Sequence, residues 1–343
     1  MRKLLNTLYV TLPDIYLSLD GENVVVKQDT EILRRVPLHN LEGIVTFGYT
    51  GASPALMGAC ADKGISLTFM TANGRFLANV VGTQKGNVSL RRTQYRYADN
   101  ENENIAIAKN ILIGKLYNSR WVLERAIRDH ALRIDSEKVK RAAEQIAHSI
   151  SLLREAQTSG ELFGIEGEAA SRYFSVFDQL ILQNKKDFFF TARNRRPPLD
   201  NVNAMLSFVY TLLEGDVSAA LYAAGLDPYV GFLHKDRPGR RSLALDLLEE
   251  LRSPLADRFV LTLINTRKID PSDFYKKENG AVLMKDETRK AFLTAWQLRK
   301  SEKLSHPFLK EKIEWGLVAH AQALLLARTL RGDLDEYPPF LWK

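Results

Sequence analysis

The chain has 343 residues, 45% hydrophobic and 26% charged, with Gly and Pro at ordinary levels; this describes a globular protein with a sizeable core and excludes a disordered or fibrous chain. Lys and Arg outnumber Asp and Glu by 48 to 41, which makes polyanions suitable partners. The single cysteine, Cys60, excludes a disulfide framework or a cysteine-built metal site within one chain and points to a reducing, cytoplasmic setting.

At the N-terminus, Pro13, Asp14 and Asp20 interrupt the apolar residues before a signal-peptide core or a membrane span can form, and no other apolar run is expected to cross a bilayer. Short β-branched segments follow one another over 7–12, 15–19, 23–27, 31–36, 43–47, 65–69 and 76–81, separated by turn residues such as Asp20-Gly21 and the hairpin signal Asn73-Gly74. One helix is expected within them, over 54–62, with Pro54 at its first position and Gly64 as a left-handed stop. Residues 1–86 therefore read as a small β domain. A junction follows over 87–104, its polar stretch 98–104 serving as linker or exposed loop. Helical periodicity then predicts helices over 105–130, 136–156, 161–182, 202–213, 217–224, 243–251, 255–265, 287–304 and 313–330. Asp200 and Asp216 are expected N-caps, Ser253-Pro254 a helix start, and Gly225 and Gly332 stops. The fold class is α+β, with 105–343 as an all-α catalytic domain.

The chemistry-bearing residues are Glu166 in GIEGEAASRYF, His234 in YVGFLHKDRPGRR, and Asp246 with Glu249 in SLALDLLEEL. An imidazole and several carboxylates in a basic protein suit Mg²⁺ or Mn²⁺ acting on a phosphodiester, because hard oxygen donors favour these ions. Three residues apart on a helix, Asp246 and Glu249 project from one face while Leu243, Leu247 and Leu251 take the buried one. Gly164 and Gly167 flank Glu166, leaving its carboxylate little obstructed. The basic excess lies beyond residue 86, where 40 basic face 34 acidic residues, against 8 and 7 before it. Lys185, Lys186, Arg193, Arg195, Arg196, Arg237, Arg240 and Arg241 are the candidate DNA contacts, placing the strand through its phosphates without reading sequence. Simpler roles stand beside these: Asp246 and Glu249 as a solvated helix face, Glu166 paired with Arg172, and Tyr173, Phe174, Phe177 and Phe188–Phe190 as core. No P-loop motif is present. Two alternatives remain at this level: a stand-alone structure-selective metal-dependent nuclease, and a non-catalytic DNA-binding scaffold.

The segments GIEGEAASRYFSVF, FTARNRRPPLDNVNAMLSFVYTLL and GLDPYVGFLHKDRPGRRSLALDLLEELRSPLADRFV resemble, in order and spacing, the signature regions of CRISPR-associated protein 1, and LLNTLYVTLPDIYLSLDGENVVV resembles the opening β domain of that family. The N-terminus is most similar in flavour to members from type I systems of the C subtype. The resemblance implies a metal-dependent DNA integrase and endonuclease of CRISPR adaptation, working with Mg²⁺ or Mn²⁺. It implies a homodimer, two of which flank a dimer of the small CRISPR-associated protein 2, joining 3′-hydroxyl ends of short double-stranded DNA fragments to the CRISPR repeat. By motif, the ligands are Glu166, His234 and an acid of the DLLEE segment, with Asp246 as accessory carboxylate. The family commonly has aspartate where this chain has Glu249, which leaves Asp246 and Glu250 as alternatives for the third ligand.

Overall fold

The computed structural model describes residues 7–12, 14–41, 43–48, 51–71, 76–80 and 88–343, and the chain divides into two compact units. One comprises residues 1–85 with 289–302; the other comprises 86–288 with 303–343.

In the first unit, strands β1 (Thr7–Val10), β2 (Ile15–Asp20), β3 (Asn23–Gln28), β4 (Glu31–Pro37), β5 (Gly43–Phe47) and β6 (Gly51–Ala52) precede helix α1 (Pro54–Lys63), which is followed by β7 (Ser66–Met70) and β8 (Phe76–Val80). They form two four-stranded sheets, ordered β1-β5-β7-β8 and β4-β3-β2-β6. The β1-β5-β7 pairings are parallel, and β2-β3-β4 is an antiparallel meander. Alternation puts Ile15, Leu17, Val24, Val26, Ile44 and Leu67 into one core with Leu56 and Cys60 of α1. Ser53 Oγ accepts the Leu56 N–H, Pro54 occupies the first turn, and Gly64, at φ 68°, ends the helix in the left-handed region. The Asn73-Gly74 turn lies outside the described residues.

The second unit begins with α2 (Val88–Asp99) and α3 (Glu101–His130), followed by α4 (Ser136–Glu155), α5 (Ser159–Ser175), α6 (Asn201–Ala224), α7 (Ser242–Leu251) and α8 (Arg258–Asn265). The stretch 98–104, expected as a linker or loop, is helical on both sides of Asn100, whose side chain accepts the N–H groups of Asn102 and Glu103 and so caps α3. Past α8 come β9 (Phe274–Lys276), β10 (Val282–Met284), α9 (Asp286–Ser301), β11 (Lys303–Ser305), β12 (Lys312–Glu314) and α10 (Trp315–Leu330). The β9-β10 and β11-β12 pairs are three-residue strands, so the region is mostly rather than wholly helical. Residues 289–302 of and just beyond α9 cluster with the N-terminal unit.

Several expected helix boundaries are corrected, among them that over 161–182, where α5 ends at Ser175 and a 3₁₀ turn follows at Phe177–Leu180. The helices predicted over 202–213 and 217–224 are one, α6, because Leu212, Leu213, Val217 and Leu221 stay buried through Gly215 and no cap forms at Asp216. As one helix, α6 is long and apolar enough to cross a bilayer by length and composition, contrary to the sequence expectation, and here it packs on α7 and α10. Ser253-Pro254 does not start a new helix: α7 continues through a π-helical turn, Arg252–Asp257, into α8, and this wider turn accommodates the N–H that proline lacks.

α3 packs against α4, α5 and α7, and the C-terminal segment lies against α3 beside α7, Asn118 donating to both Glu250 O and Phe340 O. Tyr337, Phe340 and Trp342 are buried, Asn118 also accepts the Trp342 N–H, and Pro339 approaches Gly114 so closely that a Cβ there would meet it at 3.1 Å.

Candidate active site

Glu166 sits in the second turn of α5. A capping box starts that helix: Thr158 Oγ1 accepts the Glu161 N–H, and Glu161 Oε2 accepts the Thr158 N–H. Glu166 points to Lys115 of α3, and its neighbour Glu168 takes the pairing with Arg172. Lys115 Nζ lies 2.8 Å from Glu249 Oε2 as well, so carboxylates from α5 and α7 meet on one ammonium from α3. The other oxygen of Glu249 pairs with Arg252 at 2.9 Å. Burial opposes charge on Glu249, but Arg252, then Lys115 and the nearby His234, outweigh it and hold the carboxyl at about 2.

His234 lies on the loop between α6 and α7, and Asp246, fully buried on α7, organises that loop. Its Oδ2 accepts the N–H groups of Phe232 at 2.7 Å and Leu233 at 3.0 Å; its Oδ1 accepts the His234 N–H at 2.9 Å. The same Oδ1 lies 2.7 Å from His234 Nδ1, and because a carboxylate only accepts, Nδ1 is a donor here, so that in the neutral imidazole Nε2 is the nitrogen with the lone pair. Gly231 is what allows this approach: a Cβ there would lie 2.8 Å from Asp246 Oδ2 and 2.9 Å from the Ser242 carbonyl carbon.

Glu250, next to Glu249, faces the opposite way. Its Oε2 accepts the Phe340 N–H at 2.7 Å and Gln322 Nε2–H at 3.0 Å, and burial, only partly offset by these donors, pushes its carboxyl up to about 8. Of the three acids open as third ligand, Asp246 is engaged by four donors and Glu250 by the C-terminal segment, whereas Glu249 faces Glu166 across Lys115.

A cavity of about 270 Å³ opens at this point, lined by Lys115, Glu166, Glu249, Arg252, Arg193 and Arg195 among others. Arg193 donates to Asn203 and Ser207 and lies 5.3 Å over the Tyr210 ring. The cavity lining also includes Asp257, which accepts hydrogen bonds from Tyr173 and Tyr210. Among the other candidate DNA contacts, Lys186, Arg196 and Arg237 are exposed, Arg240 is half-buried, and Lys185 is exposed but paired with Asp178. Arg241 is buried, with its charge acting on Glu214, and is not part of an exposed surface.

Among the described residues, no three His, Cys, Asp or Glu side chains form a ready-made metal cluster, and the Lys115 ammonium stands between Glu166 and Glu249. The donor set nevertheless fits a hard divalent cation. Two carboxylates already converge on a cation, and an imidazole with its Nδ1 held by a carboxylate is oriented as metal-bound histidines are. Sequence reasoning missed Lys115, Arg252, Tyr210 and Asp257. A lone charge in the apolar helical run ILIGKLY and an arginine three residues after Glu249 were the available signals.

The family model of CRISPR-associated protein Cas1 matches residues 8–298. Along the full length of both chains, this sequence is 53% identical to CRISPR-associated endonuclease Cas1 1 of Chlorobaculum tepidum and 43% identical to a Cas1 1 of Moorella thermoacetica. It is also 51% identical to Cas1 2 of Rhodospirillum rubrum, again with both chains wholly covered. Among solved structures the fold is shared with a Cas1 protein from Thermotoga maritima (TM-score 0.80, 23% identity, 95% and 97% of the two chains) and with a casposase bound to integration product (TM-score 0.83, 23% identity, 98% and 94%). With a family model spanning most of the chain and relatives above half identity from end to end, the chain belongs to the Cas1 family of CRISPR-associated endonucleases, the spacer integrases of adaptation.

Proposed function

We propose that the chain joins 3′-hydroxyl DNA ends to the CRISPR repeat with Glu166, His234 and Glu249 as ligands of one Mg²⁺ or Mn²⁺ ion and Asp246 as the residue that orients His234. The observation that carries this is the meeting of Glu166 and Glu249, from two helices, on a single positive charge inside an arginine-walled cavity. When bound, a divalent cation polarises the phosphate and lowers the pKa of the attacking hydroxyl. Asp246 holds the imidazole through Nδ1 and so reserves Nε2 for the ion, and Arg193, Arg195 and Arg252 offset phosphate charge along the cavity wall. The incoming 3′ oxygen forms a new P–O bond as the bond to the repeat's 3′ oxygen breaks, and the proton lost by the attacking hydroxyl is made up on the leaving oxygen. No covalent enzyme intermediate is required, and positioning supplies much of the rate.

The exposed Arg195, Arg196 and Arg237, together with Lys186 and the half-buried Arg240, extend the site into a path for duplex DNA. In this reading the partners are double-stranded fragments, repeat DNA, a second copy of the chain paired through the β region 1–86, and a Cas2 dimer. A Cas6-RT-Cas1–Cas2 complex contains a chain of the same fold, which supports the Cas2 assignment. Residues 105–343 carry catalysis, the setting is cytoplasmic, and the N-terminal sequence favours a type I system of the C subtype.

The test is an integration assay with purified Cas2, a supercoiled plasmid bearing the repeat, and labelled duplex ends, run with Mn²⁺ and with chelator. Glu166→Ala and His234→Ala are expected to abolish strand joining while leaving DNA affinity largely intact. Joining by a cleanly prepared Glu166→Ala protein rejects the ligand assignment, and cleavage of branched DNA without any joining rejects integration.

A further inference from the structure

We infer that Lys115 is an exchangeable counter-ion of the active site, holding Glu166 and Glu249 together in the metal-free protein and turning to the DNA phosphate when a divalent cation takes its place. The inference rests on the assignment of those two carboxylates as metal ligands. Lys115 comes from α3, a different helix from either partner, and its side chain is only 12% exposed. A carboxylate pair of which one member is buried and the other half-buried needs such a neutralising charge, since two like charges in a cavity repel strongly. The ammonium also stands where both carboxylates point, so a second cation must displace it or suffer its repulsion.

The surroundings decide where a displaced ammonium goes. Leu116, Ala169, Ala170 and Phe174 of the cavity lining are apolar and offer it no counter-charge, and Tyr173 spends its hydroxyl on Asp257. Asp257 is already held by Tyr173 and Tyr210. Arg252 cannot substitute, because it is fixed between Glu249 and the Tyr210 ring, 4.9 Å from the ring centroid. What remains is the cavity itself, where the anion to be met is the scissile phosphate, and a four-carbon stem lets a lysine make that excursion where an arginine fork is held. Lys115 is thereby a catalytic residue of the loaded site and a structural one of the empty site.

Calorimetric titration of the full chain with Mn²⁺, without DNA, reads the first half. Lys115→Met is expected to bind Mn²⁺ about tenfold or more tightly than the unaltered protein, since a nearby positive charge has gone. Equal or weaker binding overturns the counter-ion role. Strand joining at saturating Mn²⁺ reads the second half: kcat is expected to fall about 100-fold with little change in KM for DNA, the loss typical of removing one transition-state charge contact. An unchanged kcat overturns the phosphate contact. Glu166→Gln is the control on the underlying assignment, because loss of Mn²⁺ binding there with none of the changes in Lys115→Met defeats only the lysine inference, whereas retained Mn²⁺ binding defeats the ligand set. Should Lys115→Met not fold, reductive methylation of the unaltered chain supplies the measurement. The Lys115 amine is expected to be labelled faster with Mn²⁺ than without, and equal labelling overturns the exchange.

Discussion

Asp246 uses both oxygens inside the protein, on three backbone N–H groups and one imidazole N–H, so it shapes the site without needing to touch an ion. The same packing makes Gly231 intolerant of a side chain. Gly231→Ala is expected to push the His234 loop off α7, lowering stability by about 1–3 kcal/mol, the usual cost of overpacking, and strand joining with it. Urea unfolding beside an integration assay checks both effects. Asp257 gives a pH signature of its own. Burial, against the opposing hydrogen bond from Tyr210 and the charge of Arg252, raises its carboxyl from 3.8 to about 6. Because the folded protein holds this proton more tightly than the unfolded chain, the contribution is fully present below about pH 4 and is lost as pH rises through about 6, an amount on the order of 3 kcal/mol. Asp257→Asn should flatten the difference between denaturant midpoints measured at pH 4 and pH 7.

The helices show why local pattern reads some boundaries and misreads others. Where a cap is a side chain within three residues and a helix-forming run follows at once, as at Ser53 and Asp200, the boundary is visible in the sequence, whereas the polar run after Asn100 hid the cap there. Glu214-Gly215-Asp216 has the same look of a break, yet one glycine costs a helix only about 1 kcal/mol, and the buried leucines on either side outweigh it. Gly215→Ala is therefore expected to stabilise the protein by about 0.5–1 kcal/mol, since an added Cβ meets nothing within 4 Å; thermal unfolding tests this. The β9-β10 and β11-β12 strands, three residues each, are too short for alternation to reveal. The roles proposed for Glu166, His234, Asp246 and Glu249 come from the residue order of their segments. Lys115 was not legible in the sequence, because its meaning depends on a carboxylate 51 residues away on another helix.

For the molecule as a whole, the positive excess beyond residue 86 lies in the part of the chain that carries the cavity, and DNA affinity should follow it. Replacing Arg195 and Arg196 together by alanine is expected to lower the slope of log affinity against log salt by about 2 while leaving sequence preference unaltered, as fluorescence anisotropy over a salt series reads. Arg241 looks identical in the sequence but lies buried near Glu214, which shows that composition gives the sign of a surface and only folding gives its members.

The last turn of the chain behaves unlike a free end. Phe340 N–H is bonded to buried Glu250 at 2.7 Å and Trp342 N–H to buried Asn118 at 2.8 Å, with Trp342 lying under the guanidinium of Arg258. Amide protons near a terminus normally trade with solvent deuterium almost at once. These two should instead persist on the timescale of opening α3 from α7, so mass-spectrometric deuterium uptake by the C-terminal peptide becomes a reporter on the very helices that present Lys115 and Glu249.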